Sequence, residues 1–219
     1  MRRRGPPVKR ASRVVPARPR PGAAGVKSAR RLPRAMRREQ LLETAQQIVR
    51  EEGTDALTLG HLAERARVSK PIAYEHFTSR SGLLIALCRQ IDDRQVDALR
   101  RALERARHRL EDVARVASAA CMRCYTTVGA EWHAISAAMK GDDEMEAVQQ
   151  ELLDRYVALY RDAFAPYSAL PEDELYIRCL GIVGAADAIA RDMMRGRIDE
   201  GKAAASLASL VVRWLSPKR

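Results

Sequence analysis

The stretch RVSKPIAYEHFTS, Arg67–Ser79, sets Tyr74, His76 and Phe77 within four residues of one another in a chain only 5% aromatic. A phenol hydroxyl and an imidazole on one helix can both reach phosphate oxygens. The Ser-Lys-Pro ahead of them reads as a helix start, with Ser69 able to cap and Pro71 tolerated in the first turn. Helical spacing then puts Ala73 and Phe77 on an inner face and turns Tyr74 and His76 outward. This is chemistry of recognition rather than turnover. The chain has no Ser-His-Asp, Walker-type or Rossmann-type signature, so no catalytic residue and no cofactor is assigned. A second constellation is CMRC, which places Cys121 and Cys124 at i, i+3 on one helix face. That spacing permits metal ligation or a redox pair. No second Cys/His pair stands at matching spacing, so the preferred reading is small buried hydrophobes and no metal site.

The elements that must position these residues are all helices. Leu41, Leu42, Ala45, Ile48 and Val49 recur at helical spacing until Gly53. Thr58 caps a short second helix carrying Leu59, Leu62, Ala63 and Ala66 on one stripe. Ser69 opens a third helix, and Ser79 a fourth with Leu83, Leu84 and Leu87. Further helices are predicted near 109–127, 131–140, 143–165, 172–194 and 199–215, with breaks at Gly129, Gly141, Pro166, Pro171 and Gly196. No strand pattern appears, and the expected fold class is all-α: a three-helix helix-turn-helix domain followed by a larger helical domain.

Composition agrees. The 219 residues are 47% hydrophobic and 31% charged, enough for a packed core without an apolar run long enough to span a membrane. Four cysteines in a chain this long do not make a disulfide framework, and the amino terminus has no apolar signal core, so a cytoplasmic location is expected. The net charge of +11 is uneven. The first 38 residues hold fourteen Lys/Arg and no acid, and the remainder is net −3. Residues 1–35, rich in Pro, Arg, Ala and Gly, read as a disordered basic arm suited to polyanions.

Two short helices joined by the turn Arg67-Val68-Ser69 make a helix-turn-helix, in which the second helix enters the major groove leading with Ser69, Lys70 and Ile72. The alternative is a plain helical hairpin with ordinary surface residues. Residues 39–84 decide between them, because LLETAQQIVREEGTDALTLGHLAERARVSKPIAYEHFTSRSGLL resembles the amino-terminal domain of TetR-type transcriptional repressors. The resemblance rests on the Gly-ended first helix, the Thr-capped Leu-Ala-Glu-Arg-Ala helix, Val-Ser, Tyr-x-His-Phe and the Leu-Leu after a short cap. It implies phosphate contacts from Thr58, Tyr74, His76 and Arg80, and base-edge or groove contacts from Ser69, Lys70, Pro71 and Ile72. Three residues depart from the family pattern. Arg67 stands in place of a turn glycine, where a positive φ would cost on the order of 1 kcal/mol. His61 replaces an acid, leaving the capping box incomplete. Ile72 replaces a threonine and offers an apolar contact. Residues 39–84 are themselves net −2, so the arm is expected to supply the missing positive charge.

The resemblance further implies that the body, residues 85–219, encloses a pocket for a small effector of unknown identity. The candidates for its wall are Cys121, Met122, Tyr125, Trp132, His133, Met139, Tyr156 and Tyr160, which would otherwise be ordinary core. In LGIVGAADAIA the small residues Gly181, Gly184 and Ala188 share a face, and AAASLASLVVRWL is uncharged from Ala203 to Val212. These two helices, with Leu207, Leu210 and Trp214, are expected to form a four-helix homodimer interface. The function expected is a repressor released from a pseudo-palindromic double-stranded DNA operator by a small molecule. The rivals are a non-specific nucleic-acid-binding protein acting through the arm and a helical enzyme using the pocket.

Overall fold

The structure, a computed structural model, describes residues 32–106, 109–139 and 143–216. Among the described residues there are eight α-helices and no strand: α1 (Arg34–Glu52), α2 (Leu59–Arg65), α3 (Lys70–Phe77), α4 (Arg80–Glu104), α5 (Leu110–Ala138), α6 (Asp143–Phe164), α7 (Glu172–Met194) and α8 (Glu200–Leu215). A short 3₁₀ turn, Ala165–Tyr167, follows α6. The basic arm lies outside the described residues up to residue 31. None of the described helices is long and apolar enough to cross a membrane.

The first four helices follow the apolar spacing of the sequence. Leu41, Leu42, Ala45, Ile48 and Val49 are buried on α1, and Gly53 ends it at a φ of 84°. Thr58 caps α2 by accepting from the His61 amide, and Ser79 caps α4 by accepting from the Gly82 amide. Ser69 opens α3 through its extended backbone alone, with no side-chain cap bond. The missing acid of the capping box is offset in another way. His61 Nε2 lies 3.0 Å from Glu52 on α1, and Arg65 reaches both Glu51 and Glu52, so α2 is tied to the end of α1 by charge.

The turn between α2 and α3 forms a left-handed helix end. The Arg67 amide donates to Glu64 O and the Val68 amide to Ala63 O, the reciprocal pair of a Schellman motif. Arg67 occupies the left-handed position at a φ of 54°, as the departure from glycine foreshadowed. Arg67→Gly is therefore expected to raise stability by up to about 1 kcal/mol. A urea titration showing the variant less stable than the parent would mean that Arg67 makes an offsetting contact. The next connection is tighter. Thr78 has a φ of 61°, and the Ser79 amide donates to Phe77 O across it, a three-residue turn of the strained kind. Helix α4 packs so closely there that a Cβ on Gly82 would overlap the Phe77 carbonyl.

One prediction is corrected along α5. A break was expected at Gly129, yet α5 runs unbroken through it from Leu110 to Ala138. Gly129 is buried, and a Cβ there would touch the Met194 thioether of α7 at 3.4 Å. It serves close packing, not chain reversal.

Two apolar clusters fill the fold. One joins α1–α3 and the start of α4 to Ile135 and Met139 of α5 and Met145, Val148 and Leu152 of α6. The other lies among α4–α8, around Met122, Tyr160, Phe164, Ile182 and Leu207. Helix α4 crosses both, since Leu83, Leu84 and Leu87 belong to the first and Leu99 to the second.

Between those sections α4 carries a buried charge. Asp92 is fully buried; its Oδ2 accepts from Arg155 Nη1 of α6 at 2.9 Å, while its Oδ1 has no hydrogen-bond partner. Burial outweighs the Arg155 charge and pushes the Asp92 carboxyl up to about 6. A carboxyl raised above its unfolded value stabilises the fold at low pH and loses that contribution as pH climbs from about 4 through 6. The loss is about 3 kcal/mol at roughly 1.4 kcal/mol per pH unit. Asp92→Asn should flatten stability over that window and leave it equal or higher at pH 7.5. Urea melts across pH check this, and an unchanged pH dependence would assign the effect elsewhere.

Candidate DNA-binding surface and ligand cavity

The leading end of α3 is exposed. Ser69, Lys70, Pro71 and Tyr74 all face solvent, Tyr74 at 53%, while Ile72 is half-buried against the first cluster. Ala73 and Phe77 point inward, Phe77 at 4% exposure, and a buried phenylalanine of this kind contributes about 3–5 kcal/mol relative to alanine. That anchor fixes the orientation of the outward residues. The stem of Lys70 passes over Gly60 on α2, its Cε 3.8 Å from where a Cβ would sit, on the same side as the Thr58 hydroxyl. Thr58 is exposed and uses its oxygen as a cap acceptor, leaving its hydroxyl hydrogen free to donate to a phosphate.

Two of the expected phosphate contacts sit in more committed settings. Arg80 donates from Nε to Leu57 O at 3.0 Å and from Nη2 to Thr54 O at 2.8 Å, so it fastens the α1–α2 loop first. His76 is half-buried; burial, then the charges of Arg34, Arg38 and Arg37, hold its imidazole below the ordinary value despite Glu75. The same arginines surround it with positive charge. Those arginines are the feature that sequence reasoning missed. Arg38 donates to His76 O at 2.9 Å and lies 4.9 Å from the centre of the Phe77 ring, placing the cationic start of α1 beside the end of α3. Counting charge from residue 39 left them out; their position at the first turn of a helix packed on α3 was the signal.

Between α4, α5, α6 and α7 lies a cavity of about 360 Å³. Cys121, Tyr125, Trp132, Tyr156 and Tyr160 line it. Three expected wall residues do not. Met122 is fully buried in the second cluster and Met139 in the first, each on another side of α5. His133 stands behind Tyr125, ring centres 5.9 Å apart, with Nε2 buried and unpartnered. Cys124, Gln95, Gln149, Ser136 and Asp187 join the wall instead.

The polar groups of the wall bond largely to one another. Tyr156 donates to Gln95 Oε1 at 3.1 Å, Tyr125 to Asp187 Oδ1 at 3.3 Å, and Gln149 Nε2 to Ser136 Oγ at 3.0 Å. Burial pushes the Cys121 thiol up to about 11 and the Cys124 thiol up to about 12, and raises all three tyrosines as well. Both cysteines are free thiols and stay protonated near neutral pH, so neither is a reactive thiolate.

Cavity and α3 module share elements. Gln95 and Leu99 of the wall continue α4, whose first turns pack under α3. On α5, Glu131 is 6% exposed and accepts from Arg50 Nε of α1 at 2.5 Å, next to wall residue Trp132.

The six residues expected at a dimer interface divide. Gly181 is filled from within the chain by the Trp214 ring, which a Cβ would overlap, and Leu207 is 1% exposed in the second cluster. Leu210 is half-buried against the same cluster. Gly184, Ala188 and Trp214 are exposed, and with Ile177 at 62% and Leu180 at 38% they form an apolar outer face on α7 and α8.

Residues 41–87 match the sequence model for bacterial regulatory proteins of the tetR family. The chain is 40% identical over 81 residues to the HTH-type transcriptional activator FasR of Mycolicibacterium smegmatis, a match covering 37% of each protein. Among solved structures it superposes on a TetR-like transcriptional regulator from Rhodococcus sp. RHA1 at a TM-score of 0.65 and 24% identity, covering 86% of this chain and all of that one. The fatty acid degradation regulator FadR of Bacillus halodurans superposes at 0.66 and 17%, covering 83% and 97%. Residues 41–87 are thus a tetR-family helix-turn-helix domain, and the chain around them has the fold of TetR-type regulators.

Proposed function

We infer that the protein is a homodimeric transcription regulator that reads a pseudo-palindromic operator with α3 and lets go of it when a small molecule fills the cavity. The observation that carries this reading is the course of α4. One helix packs under the recognition helix at its start and lines the cavity further on, and the Arg50–Glu131 pair adds a second link from α1 to the cavity helix. A ligand that favours one arrangement of α4 and α5 must bias the spacing of two recognition helices in a dimer, and half-site spacing sets DNA affinity.

The test is a thermal-shift screen followed by operator titration. Compounds that raise the melting temperature by filling the cavity are expected to lower operator affinity, and by linkage operator DNA should weaken their binding by the same factor. Tight cavity ligands that leave DNA affinity unchanged would overturn the regulatory role of the cavity. Activation is the second reading, favoured by the name of the M. smegmatis relative. A promoter reporter in cells with and without the protein separates the two by sign.

A further inference from the structure

The charge of the cavity wall restricts what can enter it. Among the described residues, no Lys, Arg or His lines the cavity, and Asp187 is the one charged side chain of the wall. The remaining polar groups are neutral amides, hydroxyls and thiols, and burial holds the thiols and phenols in their protonated forms. Asp187 Oδ1 accepts the Tyr125 hydroxyl, and Oδ2 pairs with Arg191 Nη2 at 2.7 Å from outside the wall. Its carboxylate is 38% exposed, so it remains open to a further donor. Tyr156 and Trp132 bring aromatic rings to the same wall. A carboxylate or phosphate placed here would be desolvated beside Asp187 with no cation in the wall to meet it, because Arg191 lies outside the wall and is already paired with Asp187. A cation would meet Asp187 among aromatic rings, the pairing that favours positive charge.

Resting on the reading of this cavity as the effector site, we propose that its ligands are aryl-bearing molecules of neutral or positive charge, held by a donor or cation directed at Asp187, and that anions are rejected. Asp187 is then the residue that sets ligand charge.

Tetraphenylphosphonium and tetraphenylborate test this, since they carry the same four phenyl rings around a centre of opposite charge. Binding of each to the full chain is measured by calorimetry. The phosphonium is expected to bind at least tenfold more tightly. Asp187→Asn should shrink that preference below threefold, whereas Asp187→Glu should keep it. Equal or tighter binding of the borate overturns the proposal, as does a preference that survives in Asp187→Asn. Binding of neither ion overturns it too. If the phosphonium binds selectively and operator affinity does not change, the charge rule stands and the regulatory reading of the cavity is what fails.

Discussion

Lys70→Ala combined with Tyr74→Phe is expected to lower operator affinity by at least about three orders of magnitude while leaving the melting temperature unchanged. Both side chains are exposed at the leading end of α3, so neither contributes to the core that holds the helix. A base-edge contact is worth about 1–3 kcal/mol and a phosphate hydrogen bond about 1 kcal/mol, and a two-fold dimer loses each contact twice. The two changes separate on their own. Tyr74→Phe deletes a phosphate contact and should weaken all sequences alike, while Lys70→Ala should also relax base preference. Wild-type footprints from the double variant would remove α3 from the DNA interface.

Ile177→Glu should convert the protein into a monomer, with self-association weakened at least 100-fold, roughly the effect of burying an unpaired charge twice across a two-fold axis. Ile177 is 62% exposed on the outer face of α7, so the substitution should leave the isolated chain folded. Nor does Ile177 line the cavity, unlike Leu180 and Gly184, which lie on both the outer face and the wall. Operator affinity should fall with dimerisation, because one recognition helix covers only one half-site. Light scattering gives the answer: a variant as dimeric as the parent would place the interface away from α7.

The amino-terminal module was legible because its signals are local. Apolar residues at helical spacing fixed α1 to α4, and Thr58 and Ser79 stand where short polar caps are needed. Arg67 was legible even as an anomaly, since the left-handed turn demands its conformation whatever the side chain. The body was less so, because its wall depends on which side of a helix meets which neighbour. Met122 and Met139 have the same composition signal as Tyr125 and Trp132, yet face other helices. Gly129 and Gly181 read as a break and as an intermolecular contact. Both are filled by distant side chains of the same chain, Met194 and Trp214. Asp187 did leave a trace, being the only charge between Arg178 and Arg191, but its weight depends on α4, α5 and α6 turning none of their cations toward the wall.

The central claim, that α3 reads a specific operator in a two-fold complex, is tested most directly by selecting bound fragments from a random DNA library with the full chain and with Lys70→Ala. The account predicts that the parent enriches two inverted half-sites at fixed spacing, and that Lys70→Ala keeps the spacing while losing preference at base positions within each half. Fragments with no shared sequence, or an enriched motif identical in parent and variant, would contradict it.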